Sequence, residues 1–240
     1  MKTLILTDNA HALDLARELD TIHGGVEVFQ SPDGPLPDVP RLDVRKQLAT
    51  VVASYDLVIS IHCRQFFPPE LVRKVRCINV HPGFNPYNRG WFPQVFSILN
   101  GKQAGATIHE IDEQLDHGPI IAQRRYKIES WDTSASAYAE IMRIERELVL
   151  EHFVAIRERS YRAGAPASEG NLNYKRDFDR LKHIDLDQQG RFGDFLDRLR
   201  ALTHGEYRNA YYVDESGRRV FIRIELEPEG PEAGEPEVDE

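Results

Sequence analysis

Two short runs of this chain hold side chains whose types and spacing suit acyl-transfer chemistry. Asn79 and His81 sit two apart near the end of the apolar run Cys77-Ile-Asn-Val-His-Pro-Gly83. On a strand, residues i and i+2 face the same way, so an amide and an imidazole emerge side by side where a Pro-Gly turn ends the strand. A second run, Gln114-Leu-Asp-His-Gly-Pro-Ile120, offers Asp116 in a loop punctuated by Gly118 and Pro119. An amide donor, a base of near-neutral ordinary pKa and a carboxylate to orient it can promote attack on a carbonyl and stabilise the oxyanion that forms. A capping Asn and a loop-bonding His would be the plain reading of an Asn-x-His triplet. Its place at a strand end, beside a Pro-Gly turn, favours the chemical one. His62, His109 and His117 lack the compact spacing of metal ligands, so no metal site is expected.

The elements that must position these groups follow from hydrophobic periodicity. Leu4 to Thr7 reads as a buried strand, followed by a helix with Leu13, Ala16 and Leu19 on one face and Gly24 as its stop. Val26 to Phe29 is a second strand, and residues 31–40, with four prolines and a glycine, form a loop. A helix around Val44 to Ala53 leads to the unbroken apolar strand Asp56 to His62, the pattern of a strand covered on both faces. Pro68 and Pro69 open a short helix before the Asn79/His81 strand. Trp91 to Leu99 reads as helix closed by Asn100-Gly101, Ala104 to Ile111 and Ile120 to Ile128 as strands, and Ser134 to Arg159 as a long helix. This β-α-β-α order predicts an α/β fold, a Rossmann-like doubly wound, mostly parallel sheet. In such sheets ligands bind outside the carboxyl ends of the strands, where Asn79 and His81 lie.

Composition shifts near Ala163-Gly-Ala-Pro-Ala-Ser168. The division expected is a catalytic domain over residues 1–165, a small C-terminal helix-plus-β-hairpin extension over 166–227, and an acidic tail over 228–240. Phe192, Phe195, Leu196 and Leu199 have helical spacing, and a hairpin joins Tyr211-Tyr-Val-Asp to Val220 to Leu226 through Ser216-Gly217. The net charge of -9 arises mostly from residues 225–240, which hold eight acidic and no basic side chains, so the tail reads as disordered and solvated. No basic face for nucleic acid and no run near the ~18 apolar residues of a membrane span is present in the sequence. Met1 to Thr7 is too short for a signal peptide, and the two cysteines, Cys63 and Cys77, point to reduced thiols in the cytoplasm.

Three segments together, Ile78-Asn-Val-His-Pro-Gly83, Asn88-Arg-Gly-Trp-Phe-Pro93 and Leu115-Asp-His-Gly-Pro-Ile-Ile-Ala-Gln123, resemble the folate-dependent formyltransferase family. Among its members, the chain is most similar to the sugar N-formyltransferases acting on dTDP-linked 4-amino-4,6-dideoxy sugars. The Tyr174-Lys-Arg, Ile184-Asp-Leu-Asp and Arg198-Leu-Arg-Ala-Leu pieces resemble the C-terminal part of those enzymes. The first strand ends in Thr7-Asp-Asn9, without the Gly-rich turn of some relatives.

The resemblance implies 10-formyltetrahydrofolate as donor and no metal, with Asn79, His81 and Asp116 as the catalytic trio. Asn79 would donate to the developing oxyanion, and either His81 or Asp116 would take the amine proton. It implies folate contacts at Arg64, Gln65 and Phe66, and acceptor contacts at Tyr87, Arg89 and Trp91, with Arg89 gripping the diphosphate. Tyr174, Lys175 and Arg176 are further candidates for the nucleotide, although a solvated face explains them equally. The expected partners are the two small-molecule substrates and a second copy of the chain, joined through the C-terminal hairpin. Other acceptors (glycinamide ribonucleotide or methionyl-tRNA), a folate or nucleotide-sugar binder without turnover, and a metal-dependent hydrolase are the alternatives.

Overall fold

In the computed structural model, which describes residues 1–229, a six-stranded sheet forms the centre of the chain. The tail assigned above to 228–240 lies outside the described residues from 230 onward. In chain order the elements are β1 (Thr3–Leu6), α1 (Ala10–His23), β2 (Val26–Phe29), α2 (Leu48–Ser54), β3 (Leu57–Ile61), α3 (Pro69–Lys74), β4 (Arg76–His81), β5 (Arg89–Gly90), α4 (Pro93–Asn100), β6 (Ala104–Glu110) and β7 (Ile120–Tyr126). There follow α5 (Ser134–Glu158), β8 (Leu172–Asn173), α6 (Lys175–Leu181), α7 (Phe192–Leu202), β9 (Ala210–Val213) and β10 (Arg219–Ile222). The sheet order is β2-β1-β3-β4-β6-β7. The first four strands are parallel, and β6 and β7 are added antiparallel. This is the doubly wound, mostly parallel sheet expected, with a helix and a hairpin following it at the C-terminal end.

Strand alternation divides the core into two layers. Ile5, Leu57, Ile59, Ile61, Ile78 and Val80 pack with α1 and α5 on one face. Leu4, Leu6, Val58 and Cys77 pack with Val51 of α2 and Leu71 of α3 on the other. Since side chains alternate along a strand, Asn79 and His81 share the face of Cys77, while Ile78 and Val80 anchor the opposite one. The burial of Ile78 and Val80 therefore fixes which way the two polar groups point. α1 begins where Asn9 accepts a hydrogen bond from the Ala12 N–H at 3.2 Å, and it ends at Gly24. α5 opens with a reciprocal Thr133–Ser136 capping box and buries Ile141, Leu148 and Phe153 against the sheet.

Several boundaries differ from expectation. The helix expected around Val44 begins only at Leu48, after a turn in which Asp43 accepts from the Arg45 and Lys46 amides. α4 starts at Pro93 rather than Trp91, because Phe92 adopts the left-handed conformation (φ 52°) and Pro93 takes the first helical turn. The second hairpin strand stops at Ile222 instead of Leu226, since β9 offers a partner only from Ala210. Its alternation nevertheless continues: Val220, Ile222, Ile224 and Leu226 are half-buried, and Phe221, Arg223 and Glu225 are exposed.

The chain after α5 stays tied to the sheet. Gly164 exchanges backbone hydrogen bonds with Ile120, and β8 pairs with β5. Phe178, Ala201, Leu202 and Ala210 share a core with Val95, Phe96 and Ile98 of α4.

Candidate active site

The carboxyl ends of β1, β3 and β4 open into a cleft of about 870 Å³. It lies at the point where the sheet order reverses between β1 and β3. Asn9, His62, Asn79 and His81 line it from the strand ends, and Asp116 reaches in from the β6–β7 loop. The structure therefore brings the three expected catalytic candidates together. Asn79 donates to Asp116 Oδ1 at 2.9 Å, and His81 Nδ1 lies 3.5 Å from Asp116 Oδ2.

The β4–β6 register places His109 directly opposite Asn79, and the Asn79 amide nitrogen is 3.2 Å from His109 Nε2. His109 Nδ1 faces the Glu110 carbonyl at 2.7 Å, which can only accept, so Nδ1 carries a proton, and Nε2 faces both the Asn79 amide and, at 3.6 Å, Asp116 Oδ1. The Asn79 amide nitrogen thus lies between the Asp116 carboxylate and the His109 ring. Sequence reasoning pictured a free amide donor. The register supplies a second partner for it, and no local pattern announces that pairing.

Asp116 is held on every side. Its carboxylate also accepts from the Gly90 N–H at 3.0 Å, and the buried Asn85 side chain donates to its main-chain carbonyl at 2.8 Å. Asn85 is itself fixed through Thr107, whose hydroxyl accepts from the Asn85 N–H and donates to the Gly83 carbonyl. Asp116 sits in the left-handed region at φ 47°, as do His62 at 53° and Phe92 at 52°. Such a cluster of strained residues persists only where surrounding contacts impose it. Gly90 and Gly83 have steric reasons to be glycine. A Cβ at Gly90 would lie 2.4 Å from the Asn173 carbonyl oxygen, and one at Gly83 would lie 2.5 Å from His81 Nε2.

Burial, reinforced by His109, His62 and Arg89, outweighs the pull of Asp116 and lowers His81 to about 4. Burial works against ionisation of Asp116, but His81, His109 and the Gly90 N–H outweigh it and hold its pKa at about 2. At neutral pH the pair is a carboxylate beside a neutral imidazole. The carboxylate selects the tautomer with the proton on Nδ1, which leaves the Nε2 lone pair free. His81 Nε2 is buried and has no hydrogen-bond partner. That arrangement is a base with its orienting group already in place.

The remaining expected contacts separate into those at the cleft and those outside it. Arg64 and Phe66 line it, and Phe66 is 55% exposed. Gln65 borders it too, but its side chain is committed to the Val44 N–H and the Leu42 carbonyl, which hold the preceding loop. Trp91 lines the cleft with its ring against Phe92. Tyr87 and Arg89 stand outside the lining. Arg89 is buried on β5, with one guanidinium nitrogen 2.9 Å from Glu169, because the β5–β8 pairing draws residues 169–173 across it. In this structure the Arg89 guanidinium thus pairs with Glu169 and stands outside the cleft lining. Lys175 lines the cleft; Tyr174 and Arg176 stack on each other outside it.

Sequence reasoning missed a second wall. His62 Nε2 is 2.7 Å from the buried Glu145 of α5, and its Nδ1 is 3.2 Å from the Tyr138 hydroxyl. Gln94, Ser134, His204, Tyr207 and Lys182 complete that side. Only His62 carried a sequence signal, as a strand-end histidine. Among the described residues no group of three or more His, Cys, Asp and Glu has the geometry to hold a metal ion, and no helix is long and apolar enough to cross a membrane.

Comparison with known proteins gives the same picture. Residues 6–153 match the Formyl transferase family, and residues 177–228 match the N-formyltransferase dimerization C-terminal domain. The chain belongs to the formyl transferase family. It is 64% identical to the dTDP-4-amino-4,6-dideoxyglucose formyltransferase of Mycobacterium tuberculosis, over 96% of this chain and 99% of that relative. A sugar N-formyltransferase from Shewanella superposes with a TM-score of 0.92 at 38% identity, covering 96% of this chain and 99% of the other. The formyltransferase PseJ from Anoxybacillus kamchatkensis, solved with UDP-4,6-dideoxy-4-formamido-L-AltNAc and tetrahydrofolate, superposes with a TM-score of 0.62 at 27% identity over 75% of this chain and 89% of its own.

Proposed function

We propose that the protein is a sugar N-formyltransferase that moves the formyl group of 10-formyltetrahydrofolate to the 4-amino group of dTDP-4-amino-4,6-dideoxyglucose. The observation that carries this reading is the unpartnered, buried Nε2 of a neutral His81, backed by an ionised Asp116 and flanked by Asn79. A protein that only bound its ligands would have no use for a desolvated base beside an amide donor.

Each group has a task. As the amine adds to the formyl carbon, its nitrogen becomes cationic and must lose a proton, and His81, held neutral by burial, has its Nε2 lone pair free to accept it. His81 takes it on Nε2, and Asp116 holds the Nδ1–H and stabilises the imidazolium that forms. Of the two Asn79 contacts, the one to His109 at 3.2 Å is the weaker, since the other, at 2.9 Å, ends on a carboxylate. That N–H turns to the formyl oxygen as negative charge develops there, and when the oxyanion collapses the bond to N10 of the donor breaks and tetrahydrofolate leaves with the proton that His81 took. Phe66, exposed at one end of the cleft, offers an aromatic surface for the flat pterin, and the backbone of residues 64–66 supplies its polar contacts.

We further propose that residues 1–165 act as the catalytic unit and 166–227 as its extension. Two copies of the chain join through the C-terminal hairpin, with the Val220, Ile222, Ile224 and Leu226 edge as the contact. The cytoplasm, where both substrates and reduced thiols are found, is the compartment that suits the enzyme. The test of the catalytic reading is direct. With 10-formyltetrahydrofolate and a panel of amine acceptors, dTDP-4-amino-4,6-dideoxyglucose gains one formyl group by mass far faster than glycinamide ribonucleotide does. The reverse preference contradicts the acceptor assignment.

A further inference from the structure

Glu145, on α5, is a carboxylate with only 3% of its side chain exposed. Its Oε2 lies 2.7 Å from His62 Nε2, and its Oε1 is buried without a hydrogen-bond partner. Replacing a buried pair of this kind by apolar side chains is often neutral or stabilising, so stability alone does not account for it. His62 follows β3 in the left-handed conformation at φ 53°, a strain that its surroundings must hold. Both His62 and Tyr138, its second partner, line the cleft.

The proton positions on His62 follow from these partners. Nε2 faces a carboxylate, which only accepts, so Nε2 carries a proton in either charge state. Nδ1 lies 3.2 Å from the Tyr138 hydroxyl, which can donate or accept. A charged imidazole donates from Nδ1 to the phenolic oxygen and leaves the phenolic proton free to point into the cleft. A neutral imidazole instead accepts that proton's hydrogen bond and withdraws it. Burial opposes the charged form, but the Glu145 carboxylate outweighs it and raises the His62 pKa above its ordinary value, into the neutral range. The other titratable groups near the pair are His81 on β4, and His204 and Tyr207 after α7. His81 is neutral above about 4, and burial holds His204 below its ordinary value while its Nδ1 bonds Ser134 at 3.1 Å.

Resting on the acceptor reading above, we infer that His62 and Glu145 are positioning residues that turn the Tyr138 hydroxyl into the cleft as a hydrogen-bond donor to the acceptor sugar. Glu145 keeps His62 protonated on both nitrogens, His62 holds the phenolic oxygen, and Tyr138 offers its proton to a hydroxyl or ring oxygen of the sugar. The relay orients the acceptor and moves no proton between protein and substrate.

Steady-state kinetics of the full-length protein across the neutral and alkaline range tests this, with dTDP-4-amino-4,6-dideoxyglucose and 10-formyltetrahydrofolate varied separately. Tyr138→Phe removes a single oxygen and keeps the ring. It raises the acceptor's KM by about tenfold at neutral pH, the scale of one lost hydrogen bond, and leaves the donor's KM unchanged. The ratio of variant to wild-type KM cancels titration of the substrate itself, and it falls toward one as His62 loses its Nδ1 proton at higher pH. In a Glu145→Gln background the same ratio falls at lower pH, because the imidazolium has lost its counter-ion. A packing role for the pair would not produce that displacement. An acceptor KM unchanged in Tyr138→Phe, with the wild type still formylating the sugar, overturns the inference alone. So does a KM ratio that is the same at every pH and in both backgrounds. Absence of sugar formylation by the wild type overturns the acceptor reading, and the inference with it.

Discussion

At the end of β4, His81 is buried, and the half-buried Asn79 and Asp116 are held by hydrogen bonds on several sides, with Asp116 in a left-handed backbone. Around α6 and residues 203–209, Lys175 and Tyr207 are exposed and lightly held. Two kinds of work separate these regions. The first must hold a base and its orienting carboxylate to within a fraction of an ångström, and burial sets their protonation. The second must admit and release a large charged ligand, so its side chains keep solvent access. Substitutions in the first region therefore act on turnover, and those in the second on affinity.

The sharpest break of this contrast is expected at the base itself. His81→Ala and Asn79→Ala each lower kcat by about 100-fold or more, the scale of a lost general base or oxyanion donor, with little change in either substrate's KM by steady-state kinetics. A rise in KM at constant kcat would place both residues with the binding region instead. Next in size is Asn85→Ala, which frees the Asp116 carbonyl from its 2.8 Å clamp. It lowers kcat by about tenfold, the scale of one buried hydrogen bond, again without a KM effect.

The polar corner was legible because it is compact in sequence. Asn79 and His81 lie on one strand, and the alternation of Ile78 and Val80 fixes the face they share. Asp116 announces itself through the Gly118-Pro119 punctuation, and the apolar runs of β1 and β3 implied the parallel sheet. The binding corner was not legible. Lys182 and Tyr207 line one cleft because their segments flank a core shared between α4 and the C-terminal helices, and no periodicity in either segment encodes that packing. The surroundings of Arg89 were hidden for a related reason. Its burial depends on a pair of two-residue strands that meet across some 80 residues of chain, too short to leave a pattern. Glu145 shows the same limit: one acid among the apolar residues of α5 reads as surface until His62 is found 2.7 Å away.

Acid pH sharpens the comparison with smaller effects. His81 stays neutral until pH falls to about 4, so its titration leaves turnover unaffected between roughly pH 6 and 8 and lowers it only as the proton is taken up near 4. Stability follows from the same shifts. Unfolded His81 binds a proton near 6.5 and folded His81 only near 4, so the unfolded state holds more protons between those values. Asp116 behaves likewise between 3.8 and about 2. The melting temperature should fall as pH drops through these two windows, with no contribution from either group above them. Scanning calorimetry across the acid range checks the sign. The smallest effect on chemistry is expected at the hairpin: if the proposed dimer forms there, Ile224→Asp/Leu226→Asp gives a monomer by light scattering and leaves kcat within about twofold, since neither residue lines the cleft.

Single-turnover kinetics of Asp116→Asn, with enzyme in excess and both substrates bound, tests the division between chemistry and binding most directly. The amide keeps the shape but loses the charge that orients His81 and supports its protonated form. The account predicts formyl transfer at least about 100-fold slower than wild type, with dTDP affinity unchanged. Transfer at the wild-type rate would contradict it.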